Sequence, residues 1–172
     1  NEQIESSREY QDGNDFQRDL LLYVDMLTNT HPYYADAEHR AKLERQARKM
    51  YKECKKITDI NKFKVYLATI AASLNDGHTA ILYWNKLDRV FPVRLALDGN
   101  APVIIDVTSE EHSELLGKEV VGINGKPLRH ILRMARDIVS ADNDVNFENL
   151  VKEYLMLTEF WALMGMNDDV LS

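Results

Sequence analysis

Apolar positions recur at helical spacing through the first part of the chain. After Asp15, apolar residues recur at helical spacing at Phe16, Leu20, Tyr23, Val24 and Leu27. This spacing predicts an amphipathic helix that Asp15 caps. The segment THPYY follows, and the residue before a proline is disfavoured in helical geometry. We therefore expect the first helix to end just before Pro32.

Two further helices are predicted before Gly77. One runs from about Ala37 to Lys56, with an apolar face formed by Leu43, Ala47, Met50 and Cys54. The other is capped by Thr58 or Asp59 and turns Phe63, Tyr66, Leu67, Ile70 and Leu74 inward. Gly77 is suited to the left-handed position that often follows a helix. Three helices with short connections predict a helical domain over residues 1–77.

After Gly77 the apolar period changes from helical spacing to alternation. HTAILYW reads as a strand, and FPVRLALDGNAPVIIDV as a hairpin about an Asp-Gly-Asn turn. HSELLG predicts a short helical turn closed by Gly117, and KEVVGING a strand that ends in an Asn-Gly turn. Pro127 then begins a helix to about Val139. The polar break SADNDVN precedes a last helix from about Val145 to Met164.

These elements predict an α+β fold in three parts. A helical domain occupies residues 1–77, a small β-rich module residues 78–142, and a closing helix residues 143–172.

The chain of 172 residues carries a formal charge of −7, which argues against nucleic acid as a partner because phosphate binding needs a basic face. Its longest apolar runs are far below the roughly 20 residues of a membrane span. Since it starts at Asn1, we expect a processed or engineered N-terminus whose signal peptide is already gone.

Candidate chemistry is sparse. The single Cys54 cannot form an intrachain disulfide and reads as a small core residue. The five histidines lack metal-ligand spacing, and none of the seven glycines is followed two positions later by serine. Nothing resembles a phosphate-binding loop. We therefore expect no metal, no cofactor and no nucleophilic serine, as in a binding or accessory region.

His78 stands out by its position in SLNDGHTAIL, directly after Gly77 and at the change of period. Two interpretations fit this position. The histidine either belongs to an ordinary turn, or it is a base held at the rim of a cleft, where a near-neutral imidazole can accept a hydroxyl proton. Asp76 either orients the ring or, as we prefer, simply closes the turn. Thr79 is expected to supply a strand hydroxyl.

Three segments, in order, resemble one family. THPYY, SLNDGHTAIL and LLGKEVVGINGKPLRHIL are similar to segments of tail-specific, or C-terminal-processing, serine peptidases, above all to secreted bacterial members with an N-terminal helical region. The last segment resembles the second half of a PDZ domain, in which INGKP leads into the groove-lining helix. The resemblance covers roughly residues 15 to 165.

The resemblance implies a catalytic role for His78. In the tricorn-like branch of the family, a histidine of the segment that GHT resembles assists the nucleophilic serine. His78 would be that general base, with Asp76, Gly77 and Thr79 beside the site. The family also implies an extracytoplasmic location, periplasmic or secreted, and a protein or peptide substrate.

The chain also departs from the family pattern. It stops before any region with a glycine-flanked serine, and the glycine-containing loop that binds a peptide carboxylate has no counterpart before FPVRLAL. We therefore interpret the chain as the non-catalytic N-terminal part of a tail-specific serine peptidase, with a reduced PDZ-like module, inactive by itself. The alternative is a free-standing peptide-binding or scaffold protein without catalysis. The substrate and the oligomeric state do not follow from the sequence.

Overall fold

The structure, a computed structural model, describes residues 13–81, 91–98 and 101–166. The chain divides into two compact units, one up to Ile70 and the other from Ala71 onward. The second unit therefore contains residues from all three predicted parts, and the division after residues 77 and 142 stays a prediction. No helix within the described ranges has the length and apolar character needed to cross a membrane.

The first helix of the first unit, α1, spans Asp15–Thr30. Its cap is Asn14 and not Asp15: the Asn14 side chain accepts from the Gln17 amide, and the Gln17 side chain accepts from the Asn14 amide. This reciprocal pair satisfies two amides that helix geometry leaves free. The predicted end before Pro32 is confirmed, because His31 has extended backbone angles. A 3₁₀-helix, Pro32–Ala35, follows.

The other two helices of this unit are α2, Ala37–Cys54, and α3, Ile60–Ala72, which crosses into the second unit. Leu43, Ala47 and Cys54 of α2 are buried as predicted. The Asp59 carboxylate accepts from the Asn61 amide at 2.9 Å at the start of α3, consistent with one of the two predicted caps. Helix α3 ends at Ala72, earlier than expected.

A β-hairpin is the main sheet of the second unit. Strand β1, Val93–Asp98, pairs antiparallel with β2, Ala101–Val107, and Asp98 lies opposite Ala101. This confirms the predicted hairpin, whose turn residues Gly99 and Asn100 lie outside the described residues. The segment 117–120 adds hydrogen bonds to the other edge of β2, from Ile104 N to Lys118 O and from Val120 N to Pro102 O. The strand predicted for HTAILYW is wrong over residues 78–81, and its remainder lies outside the described residues.

A second, two-residue hairpin leads into the next helix. After a 3₁₀-helix, Glu110–Leu115, strands β3, Gly122–Ile123, and β4, Lys126–Pro127, are joined by the predicted Asn-Gly turn. Asn124 and Gly125 both have positive φ, 49° and 73°, as a type I′ turn requires. Helix α4, Leu128–Arg136, follows directly after Pro127 and ends three residues before the predicted Val139.

The predicted closing helix is wrong as a single element. The structure has α5, Asp144–Tyr154, and α6, Thr158–Leu163, with an extended Leu157 between them. The carbonyl groups that a continuous helix would use have other partners. The Met156 carbonyl accepts from the Phe91 amide at 2.9 Å, and the Leu155 carbonyl accepts from the Trp161 indole at 2.9 Å. These contacts end α5 where the sequence has no proline or glycine.

The described elements form an α+β fold, mostly helical, with two small antiparallel sheets. In the second unit the core is concentrated in α4, α5 and α6, where Ile131, Val151 and Phe160 are completely buried, and Leu155, between α5 and α6, is almost completely buried. The fold class is therefore confirmed. The PDZ-like layout is a finer assignment and is taken up with the proposed function.

Candidate functional site around His78

Asp76 closes the turn that presents His78. Its carboxylate accepts from the His78 amide at 3.0 Å and from the Thr79 hydroxyl at 2.7 Å, while its carbonyl accepts from the Thr79 amide at 3.1 Å. An aspartate that bonds to the backbone two residues on is a common turn arrangement. Thr79 therefore serves the turn and not a strand, which corrects the expectation for its hydroxyl.

The imidazole of His78 is almost fully accessible. The side chain is 93% exposed, and Nδ1 lies 3.4 Å from Asp76 Oδ1. This distance exceeds that of a good hydrogen bond, and the two groups form an ion pair only when the imidazole is protonated. Asp76 is thus both the residue that closes the turn and the carboxylate next to the ring.

Asp142, from the segment between α4 and α5, binds the same turn. Its Oδ1 accepts from the Gly77 amide at 3.0 Å. A Cβ atom on Gly77 would lie 2.8 Å from Asp142 Oδ2 and 3.0 Å from Asn146 Oδ1. A side chain at position 77 would therefore displace the Asp142 carboxylate from its present position. The left-handed backbone predicted for Gly77 is found instead at Asn75, with φ of 50°.

Ser140 ties the turn to the end of α3. It is 3% exposed, and its Oγ lies 3.0 Å from the Ala71 carbonyl oxygen and 2.7 Å from that of Asp76. One hydroxyl proton is shared between the two acceptors. The side chain is therefore occupied by structural hydrogen bonds, which leaves it poorly suited to nucleophilic attack.

Replacing Ser140 by alanine is expected to lower the free energy of unfolding by about 1 kcal/mol. The loss should stay small because both carbonyl groups keep a backbone partner, the Leu74 amide for Ala71 and the Thr79 amide for Asp76. Urea unfolding of the purified chain measures this difference. The exposed Ser113 provides the matched control, Ser113→Ala, and equal stability of the two variants would contradict the assignment.

Three side chains converge at this turn. Ligand-type atoms of Asp76, His78 and Asp142 all lie within 4.8 Å of one another. The sequence pattern indicated Asp76 and His78 as candidates. It did not indicate Asp142, Ser140 or Asn146, because residues 140–146 have only the pattern of a polar break. The only sequence signal for their role is the density of short polar side chains in that segment.

Other candidate residues have structural roles within the first unit. Cys54 is completely buried, and burial, helped by the nearby Glu53, raises the pKa of its thiol to about 11. The thiol is therefore protonated and unreactive at neutral pH, as expected for a core residue. His39 stacks on Tyr33 with ring centroids 3.8 Å apart, and His31 Nδ1 accepts from the Tyr33 amide.

Comparisons with known proteins identified no relative. The sequence matches no family model, and searches of curated proteins and of solved structures gave no significant match. The geometry around His78 is thus the evidence on which a function can be argued.

Proposed function

We propose that this chain is the non-catalytic N-terminal part of a tail-specific serine peptidase, and that His78 is the general base of a longer chain. The observation that carries the proposal is the exposed imidazole on a turn held from two sides. The His78 side chain is 93% exposed, while the backbone before it is bonded to Asp142 and Ser140. A base that must reach a nucleophile in a later region of a longer chain needs both accessibility and a fixed position.

Asp76 supports the role of base through its position next to the ring. A carboxylate close to Nδ1 favours a proton on that nitrogen and leaves Nε2 free to accept one. The Nδ1–Oδ1 distance of 3.4 Å is long, but such contacts often shorten only when substrate is bound. Asp76 is therefore proposed as the positioning residue for His78.

The proposed reaction is hydrolysis of a peptide bond through an acyl-enzyme. A serine of the catalytic region attacks the carbonyl carbon, and His78 accepts its hydroxyl proton and then gives it to the leaving amine. Water, deprotonated by the same imidazole, releases the acyl group and restores the serine. We further propose that the substrate is a protein or peptide, that the protein is located outside the cytoplasm, and that the reaction uses no cofactor.

The second unit is proposed to include a reduced PDZ-like module. The support is the β1–β2 hairpin followed by the Asn124-Gly125 turn and α4. This order of elements is compatible with part of such a domain. In such a module the peptide groove would lie beside α4.

The alternative, a free-standing peptide-binding protein, is favoured by one observation. A cleft of about 200 Å³ lies between β1 and the end of α5, lined by Arg94, Leu97, Lys152, Glu153 and Met156 among others. A lining that combines apolar side chains with charged groups of both signs would suit a short stretch of peptide. The cleft does not involve α4, so it differs from the groove expected for a PDZ-like module.

The coding sequence downstream of Ser172 distinguishes the two proposals. A reading frame that continues into a segment with a glycine-flanked serine would support the peptidase. A stop codon directly after Ser172 would refute it and favour the peptide-binding protein.

The isolated chain is expected not to react with a fluorophosphonate probe, which labels activated serines. The reason is that no serine follows a glycine by two positions and that Ser140 is buried and hydrogen-bonded. Mass spectrometry of the purified chain after incubation with the probe measures the labelling, with an active serine peptidase as positive control. Stoichiometric labelling that one serine substitution abolishes would show that the nucleophile lies within this chain.

A further inference from the structure

We infer that Asp76, His78 and Asp142 form a binding site for a divalent transition metal, with zinc as the best fit. The three residues offer one imidazole nitrogen and two carboxylates, and their ligand atoms lie within 4.8 Å of one another. Zinc accepts this combination of donors and completes its four positions with water. The site requires only residues of this chain, and since it uses Nδ1 of His78 and the Asp76 carboxylate, zinc bound there would prevent His78 from acting as the proposed general base.

The spacing of two of the ligand atoms already matches zinc. Bonds of about 2.0 Å in tetrahedral arrangement place neighbouring ligands roughly 3.3 Å apart. His78 Nδ1 and Asp76 Oδ1 are separated by 3.4 Å. Asp142 is exposed, so its free carboxylate oxygen can approach by the remaining distance while Oδ1 keeps its bond to the Gly77 amide.

Asn146 places a buried amide oxygen beside these three residues. Its Oδ1 is buried and has no hydrogen-bond partner among the described residues. A buried amide oxygen without a donor costs free energy unless something supplies one. This oxygen and Asp142 Oδ2 face the same side of Gly77, 3.0 Å and 2.8 Å from the position of a Cβ atom there. A water bound to the metal would be a suitable donor to Asn146.

The donor set also determines which metals are excluded. Calcium and magnesium prefer six or more oxygen ligands, and magnesium is usually bound by carboxylates and water. An imidazole nitrogen instead favours zinc and its transition-metal neighbours. We therefore expect zinc or cobalt to bind and calcium and magnesium not to compete at millimolar concentration.

The test is a titration of the purified chain with zinc chloride in competition with a chromophoric zinc indicator. The expected result is one zinc ion per chain at this site. His78→Ala and Asp142→Asn should each weaken it at least about tenfold, and Asn146→Ala should weaken it by a similar factor through the lost water contact. The exposed His130 provides the control, because His130→Ala should leave zinc affinity unchanged.

Two results would overturn the inference: no zinc binding at about 100 µM metal, or binding that His78→Ala and Asp142→Asn leave intact. The side chain of His78 is 93% exposed, so its replacement should not impair folding. Asp142→Asn keeps an oxygen that can accept from the Gly77 amide, while it removes the charge and replaces the proposed ligand oxygen by an NH2 group. Circular dichroism confirms that each variant is folded. A failed titration would leave the peptidase proposal untouched, because labelling and turnover are measured without zinc.

Discussion

In the full-length peptidase proposed above, replacing His78 by alanine should lower turnover by about 100-fold or more, with thermal stability nearly unchanged. The size follows from the loss of the group that, in that proposal, accepts the proton of the attacking hydroxyl. Stability should be maintained because the side chain is 93% exposed and the turn is closed by the Asp76 carboxylate and the His78 amide. Steady-state hydrolysis of a peptide substrate and thermal unfolding measure the two quantities.

His130→Ala is the matched control for that prediction. His130 lies exposed on α4, so its replacement should change neither turnover nor stability. Full activity of His78→Ala would show that this histidine belongs to an ordinary turn. A large loss of stability with unchanged turnover per folded molecule would lead to the same conclusion.

Replacing Phe160 by alanine should destabilise the chain by about 3–5 kcal/mol. Phe160 is completely buried in α6, and its ring centroid lies 5.5 Å from that of Tyr154. Removing the ring forfeits its burial and leaves a cavity that close-packed neighbours fill only in part. The melting temperature should fall by roughly 6 to 20 °C in calorimetry or circular dichroism.

Val145→Ala provides the control for the core substitution. Val145 is 68% exposed in the first turn of α5, and a substitution at such a position usually changes stability by less than about 0.5 kcal/mol. A loss below about 1 kcal/mol for Phe160→Ala would contradict the packing described for α6.

Elements with local signals were predictable from the sequence. Helix α1 follows from the spacing of Leu20, Val24 and Leu27, and its end from Pro32. Alternating apolar residues predicted the β1–β2 hairpin, and the Asn-Gly pair predicted the turn at Asn124-Gly125. In each case neighbouring residues alone determine the backbone, so no knowledge of distant contacts is needed.

The features that the sequence did not reveal depend on distant partners. The break between α5 and α6 depends on the Phe91 amide and the Trp161 indole, which occupy carbonyl groups of Met156 and Leu155. At the site, Asp142 contacts Gly77 across 65 positions of sequence. Periodicity and turn preferences describe residues a few positions apart, so they carry no information about these pairs.

The boundary between the two compact units has a practical consequence for dissecting the protein. The turn that carries His78 is joined to Ser140 and Asp142, and Ser140 also contacts the Ala71 carbonyl at the end of α3. A truncated fragment that begins at His78 would keep the imidazole but lose Ala71, Asp76 and Gly77. Biochemical work on the second unit alone should therefore use an N-terminal cut upstream of Ala71, so that the histidine is expressed together with the residues that hold it.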